Sequence, residues 1–432
     1  MRPNLSGVNQ SLPGAAGRPE DDPAEQARAQ SQAPVPSEAA LPGVLPAELN
    51  AELIEFRRDL HMNPELGREE FRTTISLKAR LELEGLRPVV LPGGTGLLCD
   101  IDPVDPSAAD RPRIALRADI DALPIPDTKN VPYRSTIPGR AHACGHDVHT
   151  TVALGAGLVL AGLARDGVLN RPVRLVFQPS EEQLPGGALD VIKANGLDGV
   201  SRILALHCDP KVEVGRIGIR PGPITSACDR LVIALDGPGG HSARPHLTTD
   251  LVTAMAKMAT ELPAVLARRV DPRSGLSLVW GRITGGHACN VIPQHAELEG
   301  TVRCLDHTAW QEAPDLVHEV IDQIAAMYRA KVELTYHRGV PPVVNDPGSA
   351  ELFRDAMTAR AGAHTVEDTE QSLGGEDFSW YLEHVPGALA RLGVRPVGDT
   401  TRRDLHQGSF DVDEKAIEVG VNLLTAAVLL DG

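Results

Sequence analysis

Four short segments hold the residue types that could do hydrolytic chemistry. The densest is His142-Ala143-Cys144-Gly145-His146-Asp147-Val148-His149, with three imidazoles, a thiol and a carboxylate in eight residues. Gly145 lets the backbone bend between Cys144 and His146, so a thiolate and an imidazole can converge on one ion. A Cys at a helix N-terminus is also easier to deprotonate, which leaves open a Cys-His nucleophile free of metal. The bland alternative is a polar helix cap with an inert Cys. The second segment, Gln178-Pro179-Ser180-Glu181-Glu182, offers two carboxylates with separable roles: one to ligate a metal, the other to take a proton from water. The third is His207 at the end of an apolar run, and the fourth is Arg117-Ala118-Asp119-Ile120-Asp121, whose carboxylates could equally cap a turn. Near the C-terminus, Leu405-His406-Gln407-Gly408 adds one more His in a turn.

Counted together, Cys144, His146, Glu182, His207 and His406 exceed a closed four-coordinate zinc site. They suit two ions sharing a ligand, about 3.5–4 Å apart, with positions left open for substrate. Thiolate and imidazole favour zinc, while manganese, cobalt and nickel remain compatible with the set.

These groups need a scaffold that gathers them. Val173 to Phe177 and Ile203 to Leu206 are continuous apolar runs, the pattern of strands buried on both faces of a parallel sheet. Arg113 to Ile120 reads as another strand. Helical spacing marks Leu49, Leu53, Phe56 and Leu60, then Glu69 to Leu83, and Val148 to Ala164 is an almost wholly apolar helix. Alternating strand and helix predicts an α/β domain, a mostly parallel sheet covered by helices, with ligands outside the carboxyl ends of the strands. After Arg220-Pro221-Gly222-Pro223 the rhythm changes. Arg230 to Leu235, Asp250 to Arg268, Leu276 to Ile283, Ala296 to Cys304, Thr308 to Arg329 and Val332 to His337 read β-α-β-β-α-β, a ferredoxin-like α+β insertion. Glu351 to Arg360 and Leu389 to Gly393 return to the earlier style. The expected division is a polar tail over 1–44, a catalytic domain over 45–222 and 339–432, and the insertion over 223–338.

Composition narrows the partners. The chain has 432 residues, 42% hydrophobic, and its 42 basic against 58 acidic side chains give a formal net charge of −16. That excess argues against a nucleic acid or an anionic membrane as partner. The longest mostly apolar stretch, Val148 to Leu163, falls short of the roughly 20 residues that span a bilayer and reads as a buried helix. Six scattered Cys form no disulfide framework, pointing to a reducing compartment, the cytoplasm. The first 44 residues are rich in Pro, Ala, Gly, Gln and Ser without an apolar core, neither a secretory signal nor a foldable segment. Their acidic residues also break the pattern of a transit peptide.

Taken together the motifs resemble a known family, the metal-dependent amidohydrolases of hippurate hydrolase, N-acyl-amino-acid and indole-acetyl-amino-acid hydrolases. These belong to the wider metallopeptidase family of carboxypeptidase G and succinyl-diaminopimelate desuccinylase. The resemblance runs from Leu60-His61-Met62-Asn63-Pro64 to Leu405-His406 and includes Gly239-Gly240-His241-Ser242, Asn290-Val291-Ile292-Pro293, Gly300-Thr301-Val302-Arg303 and Gly375-Glu376-Asp377-Phe378. It implies two divalent metal ions held by Cys144, His146, Glu182, His207 and His406, with Asp119 and Asp121 behind them. It implies Glu181 as general base and acid, and a lid domain through which two subunits form a homodimer. His241 of the lid would steady the oxyanion in the partner subunit's site. Asn290, Arg303 and Gly375 would contact the substrate. Without the resemblance, His241 reads as an exposed loop residue, and Arg303 as an oddly placed guanidinium inside an apolar strand. One departure is Gln183-Leu184-Pro185 where the family commonly has Gly, which alters the loop beside the base.

The expected reaction is hydrolysis of the amide bond of a small-molecule N-acyl amino acid, hippurate-like or N-acetyl-amino-acid-like. The alternatives are a dipeptidase or carboxypeptidase on the same two-metal site, a Cys144-dependent hydrolase, and a binding protein on an old enzyme scaffold.

Overall fold

The computed structural model describes residues 41–401 and 403–431. The expected polar tail falls, up to residue 40, outside the described residues. Leu41, Pro42 and Gly43 are held by their carbonyls, which accept hydrogen bonds from the Arg360 guanidinium.

The principal elements are helices α1 (Ala47–Met62), α2 (Phe71–Leu83), α3 (His146–Arg165), α4 (Leu251–Arg269), α5 (His307–Tyr328), α6 (Pro347–Ala361) and α7 (Lys415–Leu430). The principal strands are β1 (Leu97–Ile101), β2 (Arg113–Asp119), β3 (Val173–Gln178), β4 (Val200–Glu213), β5 (Ala227–Asp236), β6 (Ser277–Gly285), β7 (His295–Cys304), β8 (Lys331–Val340) and β9 (Gly387–Arg395). One sheet has eight strands in the order Val89–Val90, β1, β3, β2, β4, β9, Ile217–Gly218, Val366–Glu367. Its centre, β3-β2-β4-β9, is parallel, and the flanking pairs with β1 and with Ile217–Gly218 are antiparallel. The sheet is therefore mixed with a parallel middle, close to the expected mostly parallel sheet. The register sets Asp119 beside Gln178 and His207 beside Arg391. Asp119 and Gln178 end β2 and β3, and the pairing of Arg117 with Ala205 puts His207 of β4 and Arg391 of β9 at the same level, toward the carboxyl ends where open α/β sheets bind ligands.

Both faces of this sheet are covered. On one, α1, α3, α6 and α7 pack over Leu116, Leu175, Leu204 and Leu392; on the other, Val191, Phe378 and Tyr381 meet Ala115, Val176 and Leu389. α3 begins at His146, two residues earlier than the apolar run indicates, so His146 and Asp147 belong to its first turn. At 20 residues α3 is long and apolar enough to cross a membrane, longer than the sequence reading allows, and its apolar window is 83% buried inside the protein. Gly157 is needed for that packing, because a Cβ there would lie 2.3 Å from Leu175 Cδ1.

Between Gly218 and Val366 the chain builds a separate four-stranded antiparallel sheet, ordered β6-β7-β5-β8. With α4 and α5 this is the expected β-α-β-β-α-β unit. Asp250 and Asp306 cap the two helices, accepting from the Thr253 and Ala309 N–H groups. Leu231, Ile233 and Leu298 pack against Met258, Leu262 and Val317 in a core of its own. β7 alternates buried and open positions, and Arg303 falls on the open face. It is not inside an apolar layer as its neighbours in sequence suggested: period-two alternation turns it away from Val302 and Cys304.

A candidate metal centre at the strand ends

Asp121 and Cys208 orient the two inner imidazoles. His146 Nδ1 lies 3.2 Å from Asp121 Oδ1, and His207 Nδ1 donates to the Cys208 carbonyl at 2.8 Å. Both rings therefore turn Nε2 inward. His146 Nε2 is buried without a hydrogen-bond partner, and His207 Nε2 lies 3.6 Å from Cys144 Sγ. The other oxygen of Asp121 accepts the Glu182 N–H at 3.0 Å, which positions the loop carrying both glutamates. Gly145 stands at φ 88° between Cys144 and His146, and a Cβ there would strike Cys208 Sγ at 2.8 Å. The expected tight bend is thus a left-handed turn that only Gly accepts readily.

Cys144, His146 and His207 present donor atoms within 4.8 Å of one another, and so do Cys144, Glu182 and His406. Cys144 belongs to both groups. A third group joins His146, Glu181 and Glu182. His406 sits at φ 60°, a costly conformation for a non-Gly residue, with its N–H donated to the Ala143 carbonyl and its Nε2 3.1 Å from Glu182 Oε1.

The electrostatics favour added positive charge. Hydrogen bonding to Cys144 and Glu182 pushes His406 up to about 10. Burial works against charge on His146, yet Asp119 and Cys144 hold its proton affinity well above the ordinary value. His207 goes the other way, kept neutral by burial and by His149 and Arg391. Burial and Glu182 raise the Cys144 thiol, with His146 opposing. This corrects the expectation of an easily ionised Cys at a helix start: Cys144 is enclosed, and desolvation outweighs the helix terminus. A free thiolate nucleophile is disfavoured for the same reason.

Asp119 stands behind the centre. Its carboxylate accepts from His149 Nδ1 at 2.7 Å and Arg117 Nη1 at 2.8 Å, and lies 3.7 Å from His146 Nε2. Burial opposes its ionisation, but His146 and Arg117 hold it well below the usual carboxylate range. Arg117 also meets Gln178, Asp377 at 2.8 Å and Glu376 at 3.1 Å. Burial, then the negative charges of Glu376, Glu182 and Asp377, holds the Glu181 carboxyl well above its usual range. Glu181 makes no hydrogen bond or ion pair among the described residues.

A cavity of about 440 Å³ opens on this cluster, lined among others by Cys144, Glu181, Glu182, His207, His406, Arg303, Gly375, Glu376 and Arg391. Leu184 of the departing loop lines it too. His241 and Asn290 do not. They are exposed on a small ribbon pairing Gly240–His241 with Val291–Ile292, where Asn290 accepts the Ser242 N–H through its backbone carbonyl. The sequence reading gave no individual part to Arg117, His149, Glu376, Asp377 or Arg391. An arginine inside an apolar strand was the available signal for Arg117 and Arg391.

The donor set fits metal ions, since the buried His146 Nε2, without a hydrogen-bond partner, faces a thiol, the Glu182 carboxylate and two further imidazoles. A Rhodococcus jostii (strain RHA1) protein named putative glutamate–cysteine ligase 2-3 is 49% identical over 379 residues, covering 88% of this chain. The match spans only 46% of that protein. The N-acetyl-L-cysteine deacetylase of Bacillus subtilis (strain 168) is 39% identical over 371 residues, covering 85% of each chain. The crystal structure of the B. subtilis YXEP protein, described as a dinuclear metal binding peptidase from the M20 family, superposes with a TM-score of 0.77 at 33% identity. That superposition covers 89% of this chain and 99% of the other. Residues 115–430, from the strand carrying Arg117 to the end of α7, match peptidase family M20/M25/M40, and this chain belongs to that family.

Proposed function

We propose that this chain hydrolyses the amide bond of N-acyl amino acids, using two divalent cations and Glu181. The observation that carries the reading is the inward-facing set of Cys144, His146, His207, Glu182 and His406, with Glu181 unengaged beside it. Cys144 belongs to both donor groups, which supports two ions sharing it, and the thiol and imidazoles favour zinc, with manganese, cobalt or nickel compatible. Bound there, such ions supply Lewis acidity toward a carbonyl and a more acidic water at neutral pH.

The protein's own groups do the rest. Glu181 takes a proton from the attacking water as the new C–O bond forms on the acyl carbon. It then passes that proton to the departing nitrogen as the C–N bond breaks. Its proton affinity is raised by burial and by neighbouring carboxylates, a setting in which it can hold a proton until the amine needs one. Asp121 keeps His146 and the glutamate loop in place, and Asp119 steadies His149 and Arg117. Arg303 and Gly375 line the cavity at positions suited to the substrate carboxylate and backbone.

The inserted unit acts in this reading as a lid and as the surface of a homodimer. Its β6 edge is open and carries exposed Val279 and Ile283. Pairing there would let His241 and Asn290 serve the partner subunit's cavity; sedimentation as a monomer at micromolar concentration would refute it. All six cysteines are free, which supports a reducing compartment such as the cytoplasm.

The test is metal analysis of protein purified without chelator, joined to a panel of N-acetyl and N-benzoyl amino acids and dipeptides. Two metals per chain and faster turnover of the N-acyl compounds are expected. EDTA should abolish turnover and divalent cations restore it. Glu181→Ala should keep its metals and lose at least about a hundredfold in kcat. Near-normal activity in that variant sinks the assignment of the base, and activity that survives EDTA sinks the metal mechanism.

A further inference from the structure

Arg391 is the unanswered charge in the cavity. It lies in β9 between His207 of β4 and Gly218 of the next strand. Its side chain is 7% exposed, and it lines the cavity that holds Cys144, Glu182 and His406. The neighbouring Gly218 offers it no side-chain partner, and a Cβ there would meet Thr369 Cβ at 2.9 Å and Arg391 Cβ at 3.4 Å. Among the described residues the guanidinium makes no hydrogen bond and has no carboxylate within 4.0 Å. Burial lowers its proton affinity, and Asp209 and Glu376, acting at longer range, do not make up the loss.

The other buried arginines are answered. Arg117 meets three carboxylates and Gln178, and Arg57 meets Asp147 and Glu414. Arg303, lining the same cavity, donates to the Leu373 carbonyl. A desolvated guanidinium without a counter-ion is costly, and its planar fork matches a carboxylate with two parallel N–H donors.

We propose that Arg391 determines specificity by binding a carboxylate that the substrate carries beyond the one common to all N-acyl amino acids. Dicarboxylic N-acyl amino acids are then the preferred class. This rests on the hydrolase reading above and adds to it the substrate's second charge. The extra carboxylate can come from the acyl group or from the amino-acid side chain, with the same chemistry at the guanidinium.

The test uses the metal-loaded enzyme and two matched pairs: N-acetyl-L-glutamate against N-acetyl-L-glutamine, and N-succinyl-L-alanine against N-butyryl-L-alanine. The wild type should favour the diacid at least tenfold in kcat/KM, mainly through KM, in one pair, and that pair identifies the source. Arg391→Met should bring the diacid-to-neutral ratio near one. Arg391→Lys, which keeps the charge and loses the fork, should fall between and serves if the Met variant does not fold. No diacid preference in either pair, or a preference that survives both substitutions, overturns the proposal and leaves the hydrolase reading standing. Should the wild type cleave none of the four, the hydrolase reading fails and calorimetric titration with the same compounds decides the anion site. Tenfold weaker binding of a diacid to the Arg391 variants supports the site, and unchanged or undetectable binding in the wild type and variants overturns it.

Discussion

The two sheets treat charge in opposite ways. In the eight-stranded sheet, eight consecutive residues of β9 are buried, and the covering layers lie on both faces. In the inserted sheet, β6 and β8 are largely open, and helices cover one face only. A charge buried in the first sheet or in the layers against it must find a partner inside the protein or a ligand, because desolvation is costly. Arg57, Arg117 and Asp119 find partners, and Glu181 and Arg391 do not. A charge in the second sheet turns to water: Arg230, Arg282 and Glu299 form exposed pairs across neighbouring strands. The same residue types therefore meet a large electrostatic cost in one region and a small one in the other.

Removing a buried partner should have the largest effect on stability. Arg57→Met leaves Asp147 facing His61 without its guanidinium, 2.7 Å away in the native protein, and should destabilise by about 3–5 kcal/mol. Chemical denaturation measures this, and a loss under 1 kcal/mol would erase the contrast drawn for the first sheet. Leu298→Ala opens a cavity in the inserted core and should cost about 3 kcal/mol. Followed by far-ultraviolet circular dichroism, its unfolding curve sharpens the comparison: a split transition means that the two cores melt separately. Glu299→Gln removes an exposed partner of Arg230 and Arg282 and should leave the denaturation midpoint unmoved, since exposed pairs contribute little. A clear shift there would mean that the open face of the insertion is covered in solution.

Much of this was legible in the amino-acid sequence. Val173 to Phe177 agrees with β3 to within one residue, and the inserted β-α-β-β-α-β order holds throughout. Strand Ile203 to Leu206 is too short against Val200–Glu213, because β4 runs past the buried layer into residues of mixed polarity. No reading marked β1 or α7, the first short and the second missed although Lys415, Glu418 and Asn422 fall at helical spacing in an otherwise apolar run. At the site, Cys144, His146, Glu182, His207 and His406 stood out because thiol, imidazole and carboxylate are unusual at the ends of apolar runs. Arg303 was misjudged because the strand was read as continuously apolar, although Glu297, Glu299, Thr301 and Arg303 alternate with Ala296, Leu298, Gly300, Val302 and Cys304. The network around Arg117 was invisible, since its bond to Asp377 joins positions 260 residues apart.

The amino-acid order by itself determined which chemistry is available, because donor types and local periodicity are properties of neighbouring residues. It also determined that two styles of sheet share the chain. Only the tertiary structure decided which nitrogen of each imidazole faces inward, which carboxylates are matched by Arg117, and that Arg391 is left without an answer. Those outcomes depend on desolvation and on contacts between distant segments, and neither exists until strands far apart in the chain lie side by side.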